Sequence, residues 1–234
     1  MRNLSPIEVE EFAQELRSKQ LLALSFHLPV TYKWLEVTRP QILREFQDIS
    51  TFSRLTEGDA AAKQLVTFVR ECRDFYDDIP KSLPDVAQLE FLLMSARKEQ
   101  ENRARRPVAE ASAPPPFSWD SLYWRPSSTS VARFSVDAFA ILLGKKKLTD
   151  ESGPTWVVLA PAASGRVPTV LRITAPAYHL LEAMKEPVSG RHLREHAQQH
   201  GLNVSAPALQ ALLTTLHRSG VIDSHYVKET DAEA

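Results

Sequence analysis

Residues 107–116 split this chain into two stretches whose apolar residues follow different periods. They read Pro107-Val108-Ala109-Glu110-Ala111-Ser112-Ala113-Pro114-Pro115-Pro116. Three consecutive prolines supply no backbone donor, and the stretch has no apolar repeat. An extended, stiff linker is expected. Upstream, apolar residues recur at helical spacing. Downstream they first alternate and then return to helical spacing. The fold class expected is α+β, with a helical bundle over 1–106, the linker over 107–116, and strands plus a winged-helix-like set of helices over 117–234.

In the first stretch, Ser5-Pro6-Ile7-Glu8 is a capping box with proline at the first helical position. Val9, Phe12 and Leu16 follow at helical spacing. Thr38-Arg39-Pro40-Gln41 repeats the start signal, and Ile42 and Phe46 supply its apolar stripe. Asp59 can cap a helix reaching about Phe75, with Ala61, Leu65, Phe68, Val69 and Cys72 inward. Ser82-Leu83-Pro84-Asp85 opens another, with Val86, Leu89, Leu92, Leu93 and Ala96 on one side. That helix runs into residues 98–106, which are polar all round and expected to be a solvated end. The sum is a bundle of four or five helices.

After the linker, Phe117, Trp119, Tyr123 and Trp124 crowd one short stretch. They are expected to pack on one half of the chain or on a partner. Residues 131–136 alternate like a strand, and 138–143 form a short apolar run. Residues 156–160 and 169–174 read as strands, separated by the Pro- and Gly-containing loop 161–168. Three helices follow. The first carries Tyr178, Leu181 and Met184 as its stripe, and the second covers 190–200 and ends at Gly201. The third starts at Ser205, with Leu209, Leu212, Leu213 and Leu216 inward. Val221 and Ile222 make a short apolar return, and the tail 228–234 is expected to fray.

Several functions are disfavoured by composition. Net charge is −1, and residues 1–106 carry 16 basic against 17 acidic side chains, the remainder 12 against 12. Neither half offers the concentrated positive field that phosphate binding needs, which argues against nucleic acid as the main ligand. No apolar run approaches the roughly 18 residues of a membrane span, and the first residues lack a signal peptide's apolar stretch, so the expected location is cytoplasmic, without a membrane partner. Cys72 is the only cysteine, which rules out an internal disulfide and a thiolate zinc cage. On its apolar helix face it reads as a buried structural thiol.

No catalytic constellation emerges. His192, His196 and His200 share a helical face, but the first and last lie about 12 Å apart along the axis and cannot meet on one ion. A polar, solvated face opposite Leu193 and Ala197 is the simpler reading, with no metal. His27 reads as a half-buried turn residue and Lys145-Lys146-Lys147 as a solvated turn. No phosphate-cradling glycine pattern and no Ser, His and Asp signature occurs. The strongest binding feature is the strand pair 156–160 and 169–174. Beside a helical module it exposes an edge to which an extended peptide can add through main-chain hydrogen bonds, with the third helix as far wall. The alternative is that the linker or residues 117–124 cover that edge. A winged-helix outline also raises DNA binding, but the third helix offers only Gln210, His217 and Arg218 to a groove. A free-standing enzyme is the third reading.

The stretch Phe75-Tyr76-Asp77-Asp78-Ile79-Pro80-Lys81-Ser82-Leu83-Pro84-Asp85-Val86-Ala87-Gln88-Leu89-Glu90 resembles a signature of the helical domain in a bacterial family. Its members are the small partner subunits of multinuclear non-heme iron-dependent oxidases. The second half, with Val170-Leu171-Arg172-Ile173-Thr174-Ala175-Pro176-Ala177-Tyr178 leading into helices, is similar to their precursor-peptide recognition domain. The layout over nearly the whole chain resembles most the partner subunit of methanobactin biosynthesis. The resemblance implies a non-catalytic subunit in a heterodimer with the iron enzyme. That subunit would bind the leader of a ribosomal precursor peptide while the partner oxidises core cysteines to oxazolone and thioamide groups. It implies iron in the partner and no cofactor in this chain. By order and period, Val170, Leu171, Arg172, Ile173, Gln210 and Leu213 would line the peptide site. Asp85, Glu90, Trp119 and Trp124 would face the partner enzyme; the alternative for the helical stretch with Leu83, Pro84, Asp85 and Glu90 is the bundle core, with Asp85 a first-turn helix charge. Another thiol-modified peptide pathway would use the same arrangement.

Overall fold

The computed structural model describes residues 5–49, 58–105, 117–150, 152–162, 167–201 and 205–225. The linker 107–116, the tail 228–234 and part of the loop 161–168 lie outside them. The architecture is α+β. The chain forms two compact units, Met1–Met94 with Ser135–Gly153, and Ser95–Phe134 with Pro154–Ala234. This division differs from the boundary read at 107–116.

The helices of the first unit begin near the expected start signals, with Asp59 inside a first helical turn rather than at its cap. α1 spans Pro6–His27, with the Ser5 hydroxyl accepting from the Glu8 amide and the Glu8 carboxylate accepting from the Ser5 amide. α2 spans Pro29–Thr38 and α3 Pro40–Ile49. Proline at a helix start removes only an amide that has no intrahelical partner there. The residue before proline is pushed out of the helical region, and Leu28 (φ −129°, ψ 58°) and Arg39 (φ −141°, ψ 59°) show it. Two X-Pro steps thus fold one helical run into three packed rods. α2 leaves too little signal in the sequence to be separated from its neighbours.

α4 spans Gly58–Phe75 and α5 spans Leu83–Arg105, the latter beginning in the first unit and ending in the second. α6, Ala138–Leu142, is capped by Asp137. The bundle core holds Leu24, Leu35, Ile42, Phe46, Leu65, Val69, Ile79, Leu83 and Cys72, with Leu148 packed against it. Residues 135–153 belong here for a chemical reason. The Asp85 carboxylate accepts from the amides of Ser135 and Val136 and from the Ser135 hydroxyl, and the Ser82 hydroxyl donates to the Leu148 carbonyl. Val9 and Phe12, at helical spacing on α1, are 52% and 58% exposed, because α1 is buried only in its second half, at Gln20 and Leu24.

The second unit holds two small antiparallel sheets and three helices. β2 (Ser130–Phe134), β3 (Thr155–Ala160) and β4 (Thr169–Ile173) form one sheet in that order. Val131, Val158 and Leu171 stand in register across it. Val157, Val158, Leu159 and Ala160 are all fully buried, so the middle strand is covered on both faces and reads as an apolar run rather than an alternation. β1 (Leu122–Trp124) lies between β5 (Val188–Ser189) and β6 (Asp223–His225) in the other sheet. Strands of two or three residues leave no periodic trace, and the sequence did not disclose this sheet.

α7 (Ala175–Ala183), α8 (Gly190–Gln199) and α9 (Ala206–Arg218) start at the caps Thr174, Ser189 and Ser205. Leu180, Leu181, Met184, Leu193, Leu209, Leu213 and Leu216 meet Val158, Tyr123 and Ile222 in one core, with Leu171 and Ile173 packed against it. Arg125, just after β1, donates to the Thr129 carbonyl and the Glu182 carboxylate, while its amide donates to the Met184 carbonyl. The polar end of α5 is not wholly solvated, since Gln100 is buried and Arg103 donates to the Ser128 hydroxyl. Among the described residues no helix is long and apolar enough to cross a membrane.

Candidate functional site

β4 is an edge. It pairs with β3 on one side and ends the sheet order on the other. Its side chains are half-buried at Val170, Leu171 and Ile173 and exposed at Arg172. Leu171 and Ile173 pack on the helical core, so the strand is fixed from below while its rim stands at the sheet's border. These four residues form the continuous stretch that strand addition requires.

The two α9 residues expected to join them separate. Leu213 is 0% exposed and sits in the core with Leu209 and Leu216. Its period with those leucines turns it inward, so it holds the helix down and offers a docked chain nothing. Gln210, one position past Leu209, faces outward and lines a groove of about 810 Å³.

That groove is built from α8, α9 and the segment before β1. Its lining includes Phe117, Trp119, Arg191, Arg194, Gln198 and Gln210, and no residue of β4. Phe117 meets Trp119 edge-on at 4.8 Å and stacks on Tyr123 at 5.9 Å. The Tyr123 hydroxyl donates to the Ser118 carbonyl at 2.9 Å, closing the turn. The Arg191 and Gly190 amides donate to the carbonyls of Trp119 and Ser121. Gly190 allows this close approach, since a β-carbon would sit 3.0 Å from the Trp119 carbonyl oxygen, tighter than an ordinary contact. The Asp120 carboxylate pairs with Arg191 at 2.8 Å, and the Arg194 guanidinium lies over the Trp119 ring at 6.0 Å. The sequence reading missed Arg191, Arg194 and Gln198 as one surface. Their spacing along α8 was the available signal, and it was read as a plain solvated face.

The residues expected at the partner interface divide in the same way. Glu90 is 4% exposed. Its carboxylate accepts from the Val30 amide at 2.7 Å, the Thr31 amide at 3.1 Å and the Thr31 hydroxyl at 2.7 Å. It caps α2 from across the bundle, where Leu28 supplies no side-chain cap. Burial pushes its carboxyl above the usual range, and the bonds from Thr31 and Val30 pull the other way. Asp85 ties down Ser135 and Val136 as described above. Glu90 is therefore a buried internal tie, while Asp85 is half-buried with its Oδ2 bonded to Ser135 and Val136. Trp124 is half-buried in β1, in register with Asp223, and Trp119 is half-buried in the groove.

Two reactive groups are held quiet. The Cys72 thiol is buried, and burial with the Glu45 and Glu71 carboxylates pushes it up to about 11, which suppresses the nucleophilic thiolate. On α8, Leu193 and Ala197 face the core, as the helical period requires. His196 Nε2 lies 3.3 Å from the His179 carbonyl oxygen, and the His200 ring stacks on His179 at 4.9 Å. Burial, then the His200 imidazole, holds His196 below its usual value. Among the described residues no group of three or more His, Cys, Asp or Glu side chains is placed to hold a metal ion.

The outer face of α9 is neutral over most of its length. Ala208, Gln210, Ala211 and Thr215 are exposed, and the Thr214 and Thr215 hydroxyls bond back to the helix's own carbonyls. Such a face presents little to base edges or phosphates. No sequence model of a known protein family matches this chain, and none of the characterised proteins compared with it matches significantly.

Proposed function

We propose that this chain is the non-catalytic, peptide-presenting subunit of a heterodimeric iron-dependent oxidase. In this reading its winged-helix-like second unit holds the leader of a ribosomal precursor peptide. The partner's iron oxidises core cysteines to oxazolone and thioamide groups, as in methanobactin-type biosynthesis. Iron chemistry belongs to the partner, and this chain supplies position.

The observation that carries the reading is β4. It is an edge strand anchored to a helical core by Leu171 and Ile173, with Val170 and Arg172 alternating between them. A peptide adding to it gains main-chain hydrogen bonds without displacing the core. The resemblance of residues 75–90 to the helical domain of iron-oxidase partners supplies the partner. With Glu90 buried in the bundle, surface apolar groups are left to grip that enzyme, and α1 leaves Ile7, Phe12, Leu22 and Phe26 exposed. DNA binding is less well supported, given the neutral outer face of α9.

Affinity capture of the full chain from its own cell extract tests the reading. Mass spectrometry should find an iron-bearing protein in stoichiometric amount, with iron absent from the chain purified alone. A co-purifying peptide should slow amide exchange across residues 169–173. Recovery of a lone protein, recovery with DNA only, or oxidase activity of the chain by itself would sink it.

A further inference from the structure

We infer that the groove formed by Phe117, Trp119, Arg191, Arg194, Gln198 and Gln210 is a second peptide-binding site, separate from β4, that takes a linear segment carrying a carboxylate beside an apolar side chain. This deepens the reading above and rests on it for the ligand being a peptide.

Three observations carry the inference. First, the groove is preassembled. The close approach at Gly190, the amide bonds of Gly190 and Arg191 to the 119–121 segment, and the Tyr123–Ser118 bond lock one wall against the start of α8. A wall already ordered loses little entropy when a ligand arrives.

Second, its charges are unevenly matched. Asp120 and Arg191 neutralise each other, and the Glu195 carboxylate lies 3.5 Å from His192 Nδ1. Arg194 has no carboxylate partner among the described residues. Its guanidinium carbon lies 6.0 Å from the Trp119 ring centroid. The edge of the guanidinium plane carries the N–H groups that grip a carboxylate in two-point fashion.

Third, aromatic surface lies beside that cation. Phe117 and Trp119 are half-buried and offer ring area, while the Gln198 and Gln210 amides can donate to or accept from a peptide backbone. Rigid aromatics next to an arginine are the residue types that concentrate binding energy at protein surfaces.

The test uses the full ¹⁵N-labelled chain and two capped probe peptides, Asp-Leu-Glu-Leu-Asp and its neutral counterpart Asn-Leu-Gln-Leu-Asn. The acidic probe should shift the Trp119 indole resonance, assigned through Trp119→Phe, together with the amides of Arg191, Arg194 and Gln210. Arg194→Glu should weaken that binding at least tenfold, and Arg194→Lys should restore part of it. The neutral probe should bind at least tenfold more weakly. Gly190→Ala, which pushes the wall off α8, should weaken binding in a chain whose overall spectrum remains folded. Shifts confined to residues 169–173 would overturn this site while leaving the strand-addition reading intact. No shift with either probe, or equal binding by the Arg194→Glu chain, would overturn it outright. The same resonances moving with a DNA duplex at low salt, and not with the acidic probe, would also overturn it.

Discussion

The two units handle buried and half-buried polar groups in different ways. In the first, acidic side chains turn inward and complete the structure: Glu90 caps α2 from about sixty positions away in sequence, and Asp85 fastens the returning segment at Ser135. In the second, leucines fill the helical core, Gln100, Ser121 and Thr129 are also buried, and the polar groups on the outer faces of α8 and α9 line a groove. The comparison teaches that a charged residue beside a signature-like motif says little about an interface until its hydrogen bonds are located. A carboxylate that already accepts three bonds and is buried, as Glu90 is, is not presented to a partner.

Substitutions can break this contrast from either side. The largest effect is expected at Leu213. Leu213→Ala should destabilise the second unit by about 2–5 kcal/mol, the range for deleting a fully buried leucine, read as a lowered denaturant midpoint. A stability loss under about 0.5 kcal/mol together with loss of peptide binding would instead return Leu213 to the binding surface. Next comes Glu90→Ala, which strands two amides and a hydroxyl at the buried start of α2. It should cost about 3 kcal/mol. A chain of unchanged stability that no longer captures its partner would move Glu90 back to the interface.

Acidity sharpens the same point. The Glu90 carboxyl sits above its unfolded value, so in the window between the two values the folded chain holds a proton that the unfolded chain has released. Its contribution to stability therefore grows as pH falls through the folded value, the reverse of an ion-paired acid. The stability of the natural chain relative to Glu90→Gln should rise between pH 7 and about pH 4.5, followed by urea unfolding at each pH. A difference that is flat or falls with acidity would contradict the burial.

Smaller effects follow. Asp85→Ala should cost about 1 kcal/mol, because its bonds lie at a half-exposed turn. Cys72, with its thiol pushed up to about 11, should react with iodoacetamide at pH 8 far more slowly in the folded chain than in urea. Equal rates would mean that the thiol is reached by solvent.

Much of the framework was legible in the sequence. The capping box at Ser5, the prolines at 6 and 40, and the leucine period of 209–216 were each read where the structure has a helix start or an inward face. So were β3 and β4, whose apolar and alternating residues run for five or six positions. β1, β5 and β6 escaped because two or three residues cannot establish a period. The groove escaped for another reason. Phe117 and Arg194 come from distant parts of the chain, and the contacts of Gly190, Arg191 and Arg194 with residues 119–121 bring their segments together.

What the sequence determined by itself was therefore local: where helices begin, which residues repeat inward, and that the apolar period changes after residue 116. These follow from backbone sterics and from the spacing of apolar side chains along one element. What only the tertiary structure decided was the use of the polar groups. Whether Glu90, Asp85, Gln210 or Arg194 faces inward or outward depends on which distant amide, carbonyl or ring arrives beside it. That pairing is set when the elements pack, because a buried polar group is tolerated only where a partner meets it.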